Sequence, residues 1–250
     1  LGFDVTALDD VTGDGTAELV GGPSDGWVGA QNAGAAMTLY VWPGESVLSD
    51  SGLTASDALF TVDASTGGGE AVGGPDFDGD GVPELIAAYD TIDGSGNFSS
   101  GKVFVVPGAD VAAGGAVSAD TYPALRGGSG EGLGFQNGFM DDLDGDGTPE
   151  LVVAASLATT TLDGAGEVYV ISGEDVFSSA AASSAAFVTI QGSDQYGRLG
   201  VVGEDMGDID ADGMDDLVVV PIGATALNSI TGVAHVFYGA DIAGGGSWVD

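Results

Sequence analysis

The sequence contains no cysteine, one histidine and only three basic residues, Lys102, Arg126 and Arg198. The absence of cysteine excludes a disulfide framework and any thiolate metal site, and a single histidine cannot complete a zinc site. Because 39 acidic residues give a formal charge of −36, the chain has no basic patch for phosphate groups, and nucleic acid is excluded as a partner. No stretch approaches about 18 consecutive apolar residues, so the sequence predicts no transmembrane segment.

The chain does contain enough apolar sequence for a core, and far more glycine than usual. Its 250 residues are 44% hydrophobic, which distinguishes it from a disordered chain, and its 46 glycines have no period of three, which excludes collagen. This composition favours many short strands joined by glycine turns. We interpret the acidic excess as a solvated surface that suits salty surroundings or serves solubility.

One acidic stretch occurs four times and organises the whole chain. Its clearest copy is Asp142-Leu143-Asp144-Gly145-Asp146-Gly147-Thr148-Pro149-Glu150-Leu151, with acids at the first, third, fifth and ninth places and glycine at the sixth. Alternate side chains of such a loop point inward, the glycine makes the turn, and the seventh residue offers its backbone carbonyl. These are the oxygen ligands that a hard cation such as Ca²⁺ requires. The copies begin at positions 10, 76, 142 and 208, so a constant spacing of 66 residues marks a structural repeat.

The sequence therefore predicts about four Ca²⁺ ions, one for each loop. The predicted ligands are the first, third, fifth, seventh and ninth residues of the loops: Asp10, Thr12, Asp14, Thr16, Glu18; Asp76, Asp78, Asp80, Val82, Glu84; Asp142, Asp144, Asp146, Thr148, Glu150; Asp208, Asp210, Asp212, Met214, Asp216. We expect the first loop to hold its ion most weakly, because Thr12 replaces a carboxylate there. An EF-hand is excluded, since its last acid stands at the twelfth place and its loop lies between helices.

Each unit of 66 residues contains four apolar runs of strand length. In the third unit they are Leu133-Gly134-Phe135, Leu151-Val152-Val153-Ala154, Gly166–Ile171 and Phe187–Ile190. Four strands per repeat are typical of a β-propeller blade. We therefore predict an all-β fold, one β-propeller domain spanning residues 1–250. Its blade units are 1–66, 67–132, 133–198 and 199–250.

The fourth of these units is incomplete, because its apolar runs stop after the third strand. A closed ring of four blades would leave a sheet edge unpaired at the seam. We therefore favour four consecutive blades of a larger propeller, for example a seven-bladed one, over a closed ring of four. Further blades of a parent chain are then expected partners.

These features together resemble the FG-GAP repeat of integrin α-subunit propellers and their bacterial relatives. The resemblance rests on Leu-Gly-Phe, Asp-x-Asp-Gly-Asp-Gly-x-x-Glu-Leu, Gly21-Gly22-Pro23 and Gly-x-Val-x-Val, and it covers all four units. It implies loops that bind Ca²⁺ between the first two strands of each blade, with partners on the opposite face of the ring. It also implies a secreted, extracellular or cell-surface protein of bacterial type. Gly-Phe stands here where the family has Phe-Gly.

Catalytic constellations are absent from the sequence, and we predict that the protein is not an enzyme. His235 lies in an apolar run, which favours a structural role, and serines such as Ser172 and Ser193 have no second histidine as a base. Acid chemistry would have to use carboxylates outside the loops, and their spacing favours none of them. The candidates are Asp93, Asp163 and Glu204.

The function that we expect is that of a calcium-binding extracellular module for adhesion, recognition or surface structure. The alternative is a carbohydrate-binding propeller, a lectin, or the propeller of a polysaccharide-active enzyme. In either case the ligand is a protein or a glycan on the face opposite the loops. Variable segments between the second and third strands are its predicted contacts, with Trp27 in the first of them. These segments are residues 23–33, 89–100, 156–165 and 221–231.

Overall fold

Short apolar runs bounded by glycine and proline form the strands, because β-branched and aromatic residues favour extended backbone. The computed structural model describes residues 5–22, 37–49, 52–64, 68–89, 99–159, 162–202, 207–221 and 233–249. These residues form four sheets, so the all-β class is confirmed. The strands are β1 (Val5–Leu8), β2 (Glu18–Gly21), β3 (Met37–Trp42), β4 (Phe60–Ala64), β5 (Gly68–Gly73), β6 (Leu85–Tyr89), β7 (Lys102–Val106), β8 (Gly115–Ser118), β9 (Leu125–Arg126), β10 (Leu133–Met140), β11 (Glu150–Ala155), β12 (Glu167–Ile171), β13 (Val188–Gln191), β14 (Leu199–Val202), β15 (Leu217–Pro221), β16 (His235–Phe237) and β17 (Gly246–Val249).

Each sheet is built mainly from consecutive strands of one unit. In the third sheet, β10, β11, β12 and β13 pair antiparallel in sequence order. The other sheets repeat this order with β1 to β4, with β5, β6, β7 and β9, and with β14 to β16. The first strands of neighbouring sheets contact one another, so the four sheets lie in a row. Among the described residues, no strand joins the first sheet to the fourth, so a propeller ring and its number of blades stay predictions.

Two sheets gain a fifth strand from the following unit, which the prediction of four strands per unit did not include. β8 of the second unit pairs parallel with β4, and β17 of the fourth unit pairs parallel with β13. A single bridge between Arg126 and Ala181 makes the equivalent connection from the third unit to the second sheet. Each of these segments therefore fastens its own unit to the outer edge of the preceding sheet.

Three apolar cores fill the spaces between successive sheets. Leu8 and Val41 of the first sheet pack with Leu85 and Phe104 of the second. The second core joins the second and third sheets, and the third core joins the third and fourth. Burial of these side chains is the main favourable contribution to the stability of the stack.

The continuous apolar run of β11 follows from its position between two cores. Leu151 and Val153 belong to the core shared with the second sheet, whereas Val152 and Ala154 belong to the core shared with the fourth. A strand that is covered on both faces has no polar alternation. In β15, by contrast, burial alternates. Leu217 and Val219 are buried against the third sheet, whereas Val218 is partly exposed.

The short acidic-apolar segments after each third strand form brief helices. These are α1 (Gly44–Ser49), α2 (Gly108–Ala113) and α4 (Gly239–Ile242), whereas the third unit has a 3₁₀ turn, Gly173–Asp175, and later α3 (Ala182–Ala185). The remaining 3₁₀ turns are Ala55–Asp57 and Ala119–Thr121. In the part of the chain that the structure describes, none of the helices has the length and apolarity needed to cross a membrane.

Candidate metal centre

The four acidic loops join the first and second strands of their sheets, as the sequence predicted. They follow β1, β5, β10 and β14 and therefore lie at the same end of the four sheets, which we call the acidic end. The third and fourth loops are also in contact there, because the backbone N–H of Asp141 donates to the carboxylate of Asp215 at 2.9 Å. Equivalent positions in the repeat thus become neighbouring positions in space.

The first aspartate of each loop fixes the shape of the turn by accepting backbone N–H groups. Asp76 accepts from Gly79 at 2.7 Å, from Asp80 at 3.1 Å and from Gly81 at 2.8 Å. The other three loops contain the same kind of contact. In the first loop these donors, above all the N–H at the sixth place, hold the pKa of Asp10 below its usual value. The turn is therefore organised around an ionised carboxylate.

The ninth-place acid connects the loop to the end of the third strand. Glu84 is fully buried, and its two oxygens accept from the backbone N–H of Phe77 at 2.6 Å and of Gly108 at 3.2 Å. In the fourth loop Asp216 accepts from the two equivalent N–H groups at 2.8 and 2.9 Å. This carboxylate is thus a structural group as well as a predicted metal ligand.

The glycine that receives this contact has no room for a side chain. A Cβ atom on Gly108 would lie 2.3 Å from the carbonyl oxygen of Pro83, in the adjacent acidic loop. At the equivalent glycines of the other units, a Cβ atom would lie 2.3 to 2.7 Å from a carbonyl oxygen of the loop: Gly44, Gly173 and Gly239. Glycine after each third strand therefore allows the loop and the strand to meet backbone to backbone.

The seventh residue is held against the fifth in every loop. The N–H of Val82 donates to Asp80 at 2.8 Å, and the corresponding N–H groups donate at 2.8 to 2.9 Å in the other loops. The seventh residues of these other loops are Thr16, Thr148 and Met214. Their carbonyl oxygens stay predicted ligands.

Three loops bring their carboxylates together closely enough to surround a metal ion. The described residues contain three such groups. Within each group, one ligand atom of every residue lies within 4.8 Å of the ligand atoms of the others. The groups are Asp76, Asp78, Asp80 and Glu84; Asp142, Asp144, Asp146 and Glu150; and Asp208, Asp210 and Asp212. Several like charges at such short range oppose folding unless a cation or protons neutralise them.

Glu150 shows this electrostatic problem most clearly. Its Oε2 accepts from the N–H of Leu143 at 2.6 Å, but its Oε1 is buried without any hydrogen-bond partner. Burial, together with Asp144 and Asp142, raises the pKa of Glu150 to about 8. Burial likewise raises the pKa of Glu84 to about 7. A divalent cation in the third loop would satisfy the buried oxygen and compensate the repulsion, which is the chemistry of a calcium site.

The first and fourth loops depart from this arrangement. Thr12 occupies the third place of the first loop, and its hydroxyl donates to Glu18 at 3.0 Å. In the fourth loop the three aspartates form a group without Asp216, whose shorter side chain is bonded to two N–H groups. Ala211 adopts a φ of 65° where the other loops have glycine, so this loop also carries local backbone strain.

Of the other sequence candidates, Ser172 contacts the third acidic loop, whereas His235 and Asp163 lie outside the groups of acids. His235 is half-buried in β16, opposite Val219 of β15, and Ser172 donates its hydroxyl to Asp146 at 2.8 Å. Asp163 is exposed at the opposite end of the sheets. Asp93, Glu204, Trp27 and the predicted contact segment 23–33 lie outside the described residues, as do most of 89–100 and 221–231.

The end of the sheets opposite the acidic end, which we call the upper end, carries all three basic residues. Lys102 begins β7, Arg126 ends β9, and Arg198 precedes β14. Lys102 lies 4.5 Å from the ring centre of Tyr89, whose hydroxyl donates to Asp120 at 2.9 Å. Net charge alone did not reveal this uneven distribution of the cations.

Sequence reasoning missed one surface at the upper end, residues 192–198, which connect the third unit to the fourth. The predicted contact segments lie between second and third strands and do not include these residues. The sequence signal was a tyrosine beside a glycine and a basic residue, Tyr196-Gly197-Arg198, in a polar connection.

Comparison with known families supports the repeat assignment. The profile described as FG-GAP repeat matches residues 140–171, which include the third acidic loop with β11 and β12. No curated protein matches the chain. The matched stretch contains Glu150 and the group of four carboxylates around it.

Proposed function

Because residues 140–171 are an FG-GAP repeat, we propose that the four sheets are consecutive blades of an integrin-like β-propeller that binds Ca²⁺. The proposal is supported by four sheets in a row, by their antiparallel strand order and by the loops at one common end. The module recognises a protein or a glycan at its upper end, outside the cell. It serves adhesion or surface structure without catalysis.

The calcium assignment depends on one observation, the partnerless buried Oε1 of Glu150. Glu150 belongs to a group of four carboxylates, each of which has an oxygen within 4.8 Å of the others, so one ion can contact all four side chains. Oxygen ligands alone, with no nitrogen or sulfur, select hard cations. Ca²⁺ accepts irregular sets of six to eight oxygens, whereas Mg²⁺ requires a near-ideal octahedron and usually keeps several waters, so a loop that supplies four carboxylates favours Ca²⁺.

Calorimetric titration of the metal-free chain with CaCl₂ tests the assignment. Glu150→Gln removes the charge but keeps the acceptor for Leu143, so calcium affinity at one site should fall by about tenfold or more, as one ligand charge is lost. Glu174→Gln provides the matched control, because Glu174 is an exposed acid outside every acidic group. The control should reproduce the wild-type curve.

Two results would contradict the proposal. One is an unchanged titration curve in Glu150→Gln, which would mean that this carboxylate does not contact the ion. The other is MgCl₂ binding as tightly as CaCl₂, which would remove the argument from coordination geometry.

A further inference from the structure

At the upper end, residues 192–198 are joined by backbone hydrogen bonds to the loop between β11 and β12. The N–H of Tyr196 donates to the carbonyl of Asp163 at 2.8 Å, and the N–H of Arg198 donates to Gly164 at 3.1 Å. At the two ends of the connection, the N–H of Gly192 donates to the carbonyl of Gly166 at 2.9 Å, and the N–H of Leu199 donates to that of Ala165 at 2.7 Å. Residues 192–198 and the described residues 162–166 of that loop thus form one hydrogen-bonded surface, which we call the Tyr196 surface.

The backbone of this surface is strained at two residues that are separated by one glycine. Tyr196 has a φ of 62° and Arg198 a φ of 53°, in the left-handed region that disfavours side chains with a Cβ. Among the described residues, the remaining non-glycine residue with positive φ is Ala211, in an acidic loop. Such strain persists where the surrounding structure imposes it, and it is concentrated at functional sites. Glycine would relieve it at either position.

The strained backbone presents an aromatic ring to solvent with polar groups around it. Half of the Tyr196 surface is exposed, and a Cβ atom placed on Gly164 would lie 3.4 Å from Cδ1 of the ring, so Gly164 leaves this side of the ring uncovered by a side chain. The amide of Gln195, the residue before Tyr196, donates to the carboxylate of Asp163 at 3.3 Å. Arg198 is exposed on the same connection. An exposed aromatic residue, a carboxylate bonded to an amide, and an exposed arginine therefore lie on two segments that backbone hydrogen bonds hold together.

We propose that the Tyr196 surface binds a neutral pyranose sugar, with the sugar ring stacked on Tyr196 and its hydroxyl groups bonded to Asp163, Gln195 and Arg198. A sugar has a C–H face for an aromatic ring and hydroxyls that both donate and accept hydrogen bonds. The formal charge of −36 repels polyanions, which favours a neutral sugar over an acidic one. The inference deepens the proposed function, since it names the ligand class of the recognition module.

The test uses the full chain in calcium-containing buffer. Cellohexaose, maltohexaose and mannohexaose are titrated by calorimetry, with saturation-transfer NMR as a second readout and oligogalacturonate as the anionic comparator. At least one neutral oligosaccharide should bind. Tyr196→Ala should weaken it about tenfold or more, whereas Tyr196→Phe, which keeps the ring, should stay within about threefold of wild type.

Tyr196→Gly separates binding from folding. Glycine adopts positive φ without strain, so this variant should lose sugar binding while its melting temperature stays equal or rises. Tyr238→Ala removes another tyrosine, 43% exposed and remote from the surface, and should leave binding unchanged.

The sugar inference is overturned if no neutral oligosaccharide binds, if only oligogalacturonate binds, or if Tyr196→Gly binds as well as wild type. The calcium-induced rise in melting temperature is recorded on the same samples. Its absence would refute the calcium module independently of any sugar result. A normal calcium response without sugar binding would refute the sugar site alone.

Discussion

The first and third acidic loops share the same hydrogen bonds to the backbone but differ in how closely they bring their carboxylates together. In both, the first aspartate accepts the N–H groups of the turn, and the ninth-place glutamate accepts the N–H of the second residue. The third loop brings four carboxylates within 4.8 Å, whereas the carboxylates of the first loop form no such group. The shape of the loop and its capacity for a cation are therefore separate properties.

One residue accounts for most of this difference. Thr12 replaces an aspartate at the third place, and its hydroxyl donates to Glu18 at 3.0 Å and to Asp10 at 3.4 Å. A neutral donor partly satisfies the acids that a cation would otherwise neutralise. The fourth loop shows the second requirement, side-chain length, because Asp216 satisfies the N–H groups but stays outside the group of acids.

Removal of calcium should give the largest effect and should act on the loops unequally. At about ten times the dissociation constant, each site adds about 1.4 kcal/mol to the free energy of unfolding. Three sites would add about 4 kcal/mol, which corresponds to a fall of about 8–16 °C in melting temperature on chelation. Scanning calorimetry with and without EDTA measures this shift. An unchanged melting temperature would refute the stabilising role of calcium.

The same substitution in two loops sharpens that comparison. Glu84→Gln should reduce the stabilisation by calcium by about 1 kcal/mol, because its loop holds a complete group and a tenfold weaker site is only half occupied at the same calcium concentration. Glu18→Gln should reduce it less, since the first loop lacks such a group. Equal effects of the two variants would show that the first loop binds calcium as strongly as the second.

The metal-free protein should lose stability as the pH rises. The folded pKa values of Glu84 and Glu150, about 7 and about 8, lie above the ordinary value of 4.5. Between about pH 4.5 and pH 8 the folded state therefore binds more protons than the unfolded state. The stability that these two carboxyl groups contribute is fully present below about pH 4.5 and is lost as the pH rises through about 7–8. Calcium replaces the protons and should abolish or reverse the slope.

Melting curves at pH 5 and pH 8, with EDTA or with CaCl₂, measure this dependence. Glu150→Gln should flatten the metal-free slope, because the substituted side chain no longer titrates. A metal-free protein that becomes more stable between pH 5 and pH 8 would contradict the assignment of these two carboxyl groups.

The smallest expected effect is a gain of affinity in the first loop. Thr12→Asp restores the carboxylate that the other loops have, and it should tighten the weakest calcium site by about tenfold. Ser49→Asp adds the same charge at an exposed position outside the loops and should leave the calcium titration unchanged. Equal curves for Thr12→Asp and wild type would show that carboxylate count does not decide the affinity of this loop.

Much of the fold followed from local patterns in the sequence. The run Leu151-Val152-Val153-Ala154 predicted a strand, and it lies within β11, which the structure shows to be covered on both faces. The acidic stretch before it predicted a strand-to-strand connection, because its aspartates favour a turn that accepts their own backbone N–H groups. Such features depend on neighbouring residues, so a single repeat already contains the information.

The fifth strands could not be predicted in this way. β8 has the sequence Gly-Ala-Val-Ser, is largely exposed, and pairs with β4 of the preceding unit. Nothing in four residues of low β-propensity specifies a parallel partner about 55 positions away, because the pairing depends on where the two units are placed by their cores. The same applies to β17 and β13.

By itself, the sequence determined the 66-residue repeat, the strands, the acidic loops and the residue types that could hold calcium. Only the tertiary structure decided which loops gather a complete set of carboxylates, that Glu150 has a buried oxygen without a partner, and that Tyr196 is held strained and exposed beside Asp163. The physical reason is range: turns and strands depend on adjacent residues, whereas burial, charge proximity and imposed strain depend on segments that only packing brings together.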